Sequence, residues 1–214
     1  MYKLLAASFM IGVLATATGA KADPVTFPTS TVGLSAFDVE VTQITPTEIQ
    51  LQVNLDGGAT AFVHSGNGTN HPGFAFNLTS EFNPISISFP SGSQWAAETL
   101  QTGAVVNGSG FGSFDYFINN PGHGSNLNTA GPLIFDIISS SSDISYLNLV
   151  TNTDGNYFAA DILDANGNTG MSALNGAPSV PAVPEPSSLL LLGTGVLGAA
   201  GILRRRVMSG SFRS

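Results

Sequence analysis

The sequence has no cysteine. This excludes disulfide frameworks, thiol nucleophiles and thiolate metal centres. Positive charge is almost as scarce. Only 6 of the 214 residues are Lys or Arg, against 14 Asp or Glu. All six lie near the ends: Lys3, Lys21, Arg204, Arg205, Arg206 and Arg213. The segment 23–183 holds 13 of the 14 acids and no Lys or Arg. It has no basic stripe with which to bind nucleic acid. It has no guanidinium to clamp phosphate or carboxylate, and no lysine for a Schiff base or a Ser–Lys pair. Without Lys/Arg salt bridges, it must be held together by apolar burial and hydrogen bonds. An acidic surface of this kind can also recruit divalent cations. With 43% hydrophobic residues the chain is too apolar for a disordered one. Its length fits one domain with short appendages.

The appendages read as targeting segments. Residues 1–22 have the order of a secretory signal peptide: Lys3 as the positive start, an apolar Leu4–Thr18 run, then Ala20-Lys21-Ala22. That small-x-small ending places signal peptidase cleavage between Ala22 and Asp23, after passage through the secretion translocon. At the other end Ser187–Leu203 is a 17-residue uncharged stretch, near the lower limit for a bilayer-spanning helix. Arg204, Arg205 and Arg206 follow at once and predict a cytoplasmic C-terminus, with the preceding domain exported. Before the apolar stretch, Pro184 and Pro186 flank Glu185 and favour an extended, accessible backbone.

Pro184-Glu185-Pro186, a short apolar helix and an arginine cluster, with a signal peptide upstream, together resemble the PEP-CTERM sorting signal. The resemblance spans about 25 residues, from Val183 to Met208. It implies export across the inner membrane of a Gram-negative bacterium and an exosortase as processing partner. It also implies a setting of exopolysaccharide production. The tail after the arginines, Val207–Ser214, is slightly longer than is usual for such signals. A second, local likeness lies in Tyr157–Ile162 followed by Asn166–Gly170, which resembles the last strand and turn of many exported proteins of this kind. It brings no activity with it.

Between the two ends the pattern is that of strands. Phe37, Val39 and Val41 alternate with Asp38, Glu40 and Thr42; Ile49, Leu51, Val53 and Leu55 alternate with Gln50, Gln52 and Asn54. Thr45-Pro46-Thr47 predicts a turn joining them as a hairpin, and Asp56-Gly57-Gly58 a turn into a third strand, Ala59–His64. Further strands are expected at Phe74–Thr79, Ile85–Phe89, Phe111–Ile118, Leu133–Ile138, Tyr146–Val150 and Tyr157–Leu163. One helical turn is expected over Ser93–Leu100. The expected fold is all-β: an antiparallel β-sandwich or jelly roll over 23–175, its core filled by aromatics. A Pro-rich linker (176–183), the sorting signal (184–208, with its transmembrane helix at 187–203) and a short cytoplasmic tail (209–214) complete the organisation.

Candidate chemistry is sparse. Asp161, Asp164, Asn166 and Asn168, with Asp154 and Asn156 upstream, are oxygen donors around Gly-containing turns, as a calcium site requires. They match an EF-hand loop poorly, since Thr169 and Asn175 stand where Gly and Glu belong. An ordinary solvated turn is the alternative. His64, His71 and His123 lie in Gly- and Asn-rich stretches and offer zinc ligands or a general base, or are plain loop residues. No nucleophile elbow is present, since Asn107 replaces the first glycine before Ser109. The composition therefore favours a non-enzymatic surface or matrix protein without a required cofactor. A carbohydrate- or calcium-dependent binding module is the alternative, with Trp95 and the tyrosines as exposed sugar-stacking faces.

Overall fold

A computed structural model of the chain describes residues 23–29, 31–34, 36–64, 72–80, 82, 85–96, 99–107, 111–119 and 127–181, with Gly195 and Gly198. Thirteen strands follow in chain order. They are β1 (Val25–Phe27), β2 (Thr31–Gly33), β3 (Ala36–Thr45), β4 (Glu48–Asp56), β5 (Ala59–His64), β6 (Phe74–Phe76) and β7 (Ile85–Ser88). Then come β8 (Thr99–Asn107), β9 (Ser113–Asn119), β10 (Leu127–Thr129), β11 (Leu133–Ser139), β12 (Phe158–Asp164) and β13 (Thr169–Leu174). Every strand pair is antiparallel, and the strands form two sheets.

The first sheet has the order β1-β3-β4-β11-β7. Its centre is the hairpin the alternation predicts, with Val39 opposite Val53 and Val41 opposite Leu51. Phe37, Val39, Ile49, Leu51, Val53, Leu133, Phe135 and Ile137 point inward and are fully buried. Their polar neighbours lie on the outer face, because successive side chains of a strand alternate. There Gln50 Nε2 donates to Asp136 Oδ1 (2.9 Å), and Asn54 Nδ2 donates to Asp38 Oδ2 (3.0 Å). Amide donors here do what lysine or arginine would do elsewhere.

The second sheet is built on β12. One edge of β12 pairs with β13, whose other side carries β2. The opposite edge is shared end to end by β5, at Ile162↔Phe62, and β6, at Ala160↔Phe74. β10 continues outward from β5, and β9 then β8 from β6. Aromatic contacts close the sandwich: Phe74 and Phe76 meet Phe135 at 5.8 and 6.0 Å, and Phe27 meets Phe158 edge-on at 5.0 Å. Burying each such ring contributes roughly 1.5–3 kcal/mol. Unlike the first sheet, this one also carries an apolar cluster on its other face, formed by Ala75, Phe114, Phe117, Ala159, Met171 and Ala173.

Two expected elements differ. Tyr146–Val150 is a short 3-10 turn over Tyr146–Asn148, not a strand. Ser145 caps it: its backbone N–H donates to Asn148 Oδ1 (2.8 Å), while its Oγ accepts from Leu147 N–H (3.3 Å). Leu147 is 70% exposed, and only Leu149 bridges to Leu78. Of the helical turn expected over Ser93–Leu100, Gln94–Ala96 form a turn in which Ala96 N–H donates to Ser93 C=O (3.2 Å), and Thr99 already begins β8. Strands β1, β2 and β10 have three residues each, too few to show a period.

Candidate functional site

The expected sorting residues Pro184, Glu185, Pro186, Arg204, Arg205 and Arg206 lie outside the described residues, as do Ala20 and Ala22 of the signal peptide. Of the expected transmembrane stretch, Gly195 and Gly198 are described, and both are helical. Among the described residues no helix is long and apolar enough to cross a membrane. Asp23 is exposed, two positions before β1. The opposite end of the domain returns to the same strand. Ser179 N–H donates to Thr26 C=O (2.7 Å), and Thr26 N–H donates to Ser179 C=O (3.1 Å). Ser179 lies within the segment read as linker, and Gly176 before it is buried.

The expected calcium ligands are divided between two settings. Asp164, Asn166 and Asn168 form the turn between β12 and β13. Asp164 Oδ1 accepts the backbone N–H of both Asn166 and Asn168 (2.8 Å each), and its Oδ2 accepts their side-chain amides (3.4 and 3.0 Å). Gly167, at φ +85°, closes the turn by donating to Asp164 C=O (3.1 Å). The Asn168 and then the Asn166 hydrogen bonds hold the Asp164 carboxyl below the usual carboxylate range. Asp161 stands apart, buried within β12 opposite Met171. Among the described residues no three His, Asp or Glu side chains group as a metal site.

The upstream residues repeat this turn. Asn152 Oδ1 accepts the backbone N–H of Asp154 and Asn156 (3.0 Å each). Gly155, at φ +83°, donates to Asn152 C=O (3.1 Å). In both copies the first residue's N–H donates to the fifth residue's C=O at 2.9 Å. Asn152-Thr153-Asp154-Gly155-Asn156 and Asp164-Ala165-Asn166-Gly167-Asn168 thus bracket β12 with one five-residue motif. It was legible as Asx-x-Asx-Gly-Asn, a pattern hidden when these residues are read only as calcium ligands. The first copy also grips the segment that leads into β9: Asn152 Nδ2 and Asn156 Nδ2 both donate to Phe111 C=O (2.7 and 2.9 Å). Gly112, at φ +89°, permits that approach, since a Cβ there would lie 2.5 Å from Asn152 Nδ2.

Of the histidines, His64 ends β5 opposite Leu127, while His71 and His123 lie outside the described residues. The sheet does bring the roots of the histidine-bearing segments to one level. β5 resumes as β6 and β9 resumes as β10 on adjacent strands, with Asp161 N–H donating to Pro72 C=O (3.2 Å) between them.

The expected exposure of Trp95 is corrected by the packing, while Tyr146 and Tyr157 are half-buried. Trp95 is 1% exposed and packs edge-on against Phe62 at 5.2 Å. Ser93 Oγ accepts the Trp95 backbone N–H (3.1 Å), and the indole lies in the core between the sheets. Tyr116 is also buried, stacked on Phe76. Burial and then the Asp115 charge raise its pKa above the ordinary tyrosine value. A groove of about 570 Å³ runs beside β7, lined by Ile85–Phe89, Ala96, Thr99 and Leu100, none of which titrates.

No curated protein and no solved structure matches the chain. One family model does, the PEP-CTERM protein-sorting motif, over residues 182–206. Those residues contain the Pro-Glu-Pro tripeptide, the apolar stretch and the three arginines, and the motif implies export, exosortase processing and a membrane-anchored stage before the surface. The chain is a PEP-CTERM motif-containing protein and a target of an exosortase.

Proposed function

We propose that this protein is a non-enzymatic component of the cell surface or extracellular matrix, delivered there by its two terminal signals. In this reading the signal peptide at 1–22 directs export, and the apolar stretch 187–203 holds the precursor in the inner membrane. The arginines 204–206 set its orientation, and Pro184-Glu185-Pro186 is the element the exosortase recognises. The matched sorting motif carries the reading. The domain supports it in kind: a sandwich held by apolar burial and amide hydrogen bonds suits an exported structural module.

The decisive experiment is the intact mass of the protein released by its native host, with a Glu185→Ala variant in parallel. Trypsin is uninformative, since 23–183 has no Lys or Arg. A released species running from Asp23 to near Pro184–Ser187, with the variant retained in the membrane, is expected. Release of the variant at the normal rate would sink the assignment. Added mass on the released species would identify an attached glycan and favour a place in the exopolysaccharide matrix.

A further inference from the structure

We infer that β7 is a docking edge for a second copy of this chain, which pairs with it antiparallel about a two-fold axis at Ile87. β7 is the outermost strand of the first sheet, and among the described residues only β11 pairs with it. An edge strand leaves backbone N–H and C=O groups free to extend the sheet, and folded proteins block such edges with charge, bulges or very short strands. The other edges of this domain carry such devices. β1 is met by Ser179, β2 and β10 have three residues each, and β8 shifts register against β9 between Thr102 and Val106. β7 has none of them. Its ladder with β11 runs without a shift, and residues 82–96 contain no charged side chain.

The edge is close to a palindrome. Pro84-Ile85-Ser86-Ile87-Ser88-Phe89-Pro90 alternates apolar residues with Ser between two prolines. Pairing about Ile87 sets Ile87 opposite Ile87 of the second copy, Ile85 opposite its Phe89 and Ser86 opposite its Ser88. Opposed residues share a face of the sheet, so one face is wholly apolar and the other wholly Ser. A shift by one residue sets Ile against Ser, and a shift by two sets a proline against Ser. The structure exposes what this pairing needs. Ser86 and Ser88 are exposed, while Ile85, Ile87 and Phe89 are half-buried on the core and line the groove of about 570 Å³. A second copy covers them with its own Ile85, Ile87 and Phe89. Charge favours this edge for the contact. Two domains with 13 acids each and no Lys or Arg repel wherever carboxylates meet, and 82–96 brings none. Asp136, beside Ser88 on β11, is already held by Ser88 Oγ (3.2 Å) and Gln50 Nε2 (2.9 Å).

Single-cysteine cross-linking of the full-length chain in detergent tests this, since the native sequence has no Cys to interfere. Directly opposed Cα atoms lie about 4.5–5.5 Å apart, within disulfide reach. Under mild oxidation with diamide, Ile87→Cys is expected to give a species of twice the mass. Ser86→Cys is not, because the two copies' positions 86 are offset along the strands and stand more than about 7 Å apart. Ser86→Lys with Ser88→Lys opposes ammonium groups on the exposed face, where the core is untouched, and should abolish the Ile87→Cys cross-link. Light scattering of the chain without cysteine reads the contact independently. The native mass should rise with concentration, because a five-residue ladder makes a small, weak interface, and the double lysine variant should lose that rise. Cross-linking at position 86 as fast as at 87 overturns the proposal, as does no cross-link at 87 in a folded variant. A lysine variant that associates as the native chain does overturns it too.

Discussion

Asn152 and Asp164 occupy the same position in two copies of one turn, yet only Asn152 also donates from its side chain, to Phe111 C=O at 2.7 Å. The two sites should therefore respond unequally to an exchange between Asn and Asp. Asp164→Asn keeps the Oδ1 acceptor, and the exposed amides of Asn166 and Asn168 can turn to match, so the smaller loss of the two is expected. Asn152→Asp sets a carboxylate oxygen against the Phe111 carbonyl and should cost about 1–3 kcal/mol. Urea unfolding of the two variants measures the difference; equal losses would mean the Phe111 grip contributes nothing.

Acid should weaken the second turn. The Asp164 pKa is lowered in the folded chain, so its contribution is present above the unfolded carboxylate value and is lost as pH falls through the lowered one. The carboxyl carbon of Asp164 should titrate below that of a model peptide by NMR. Asp164→Asn should flatten the acid limb of the stability curve. Tyr116 acts at the other extreme. Its raised pKa gives a contribution that is complete below the ordinary tyrosine value and is lost as pH climbs above it. Ultraviolet titration should show one phenol ionising late.

Calcium should leave the domain indifferent. Both oxygens of Asp164 already accept hydrogen bonds from the turn, and a cation would have to displace them. Millimolar calcium followed by chelator is expected to leave Tm unchanged. A clear upward shift with calcium would revive the ligand set Asp161, Asp164, Asn166 and Asn168.

Trp95 is the sole tryptophan and lies in the core. Its emission should be blue-shifted, shielded from iodide and insensitive to added polysaccharide. Trp95→Ala should cost about 3–5 kcal/mol through the cavity it leaves. A quenchable, sugar-responsive indole would contradict this packing.

Gly112→Ala tests the contact between the first turn and the segment that leads into β9. The left-handed backbone and the nearby Asn152 side chain both oppose a Cβ. A loss of about 1–3 kcal/mol is expected, whereas Gly155→Ala, with open space at its Cβ, should show only the backbone part of that loss.

The β3–β4 hairpin was legible because its two faces meet different surroundings, so Phe37, Val39 and Val41 had to alternate with Asp38 and Glu40. Strand β11 alternates in burial but not in residue type, since Ile134 and Ile138 stand on its less buried face beside Asp136. The second sheet was harder. β12 and β6 are apolar on both faces, and β8 has no clean alternation, so period 2 fades there. At Tyr146–Val150 the alternation misled, since a Ser145–Asn148 cap satisfied the backbone locally before a ladder could. Trp95 misled in the opposite way: an aromatic beside Ser93 and Gln94 in a polar stretch resembled a surface platform until the gap between the sheets was filled.

By itself the sequence determined the chain's sorting signal and its class of fold. A sorting signal is read as a linear run of residue types, and a half-buried strand writes its own period. Only the tertiary structure decided which oxygens were already engaged, where the indole went, and that Ser179 returns to Thr26. The first depends on the turn geometry around Asp164, the other two on residues far apart in the chain, Phe62 with Trp95 and Thr26 with Ser179, and main-chain hydrogen bonds leave no mark on side-chain identity.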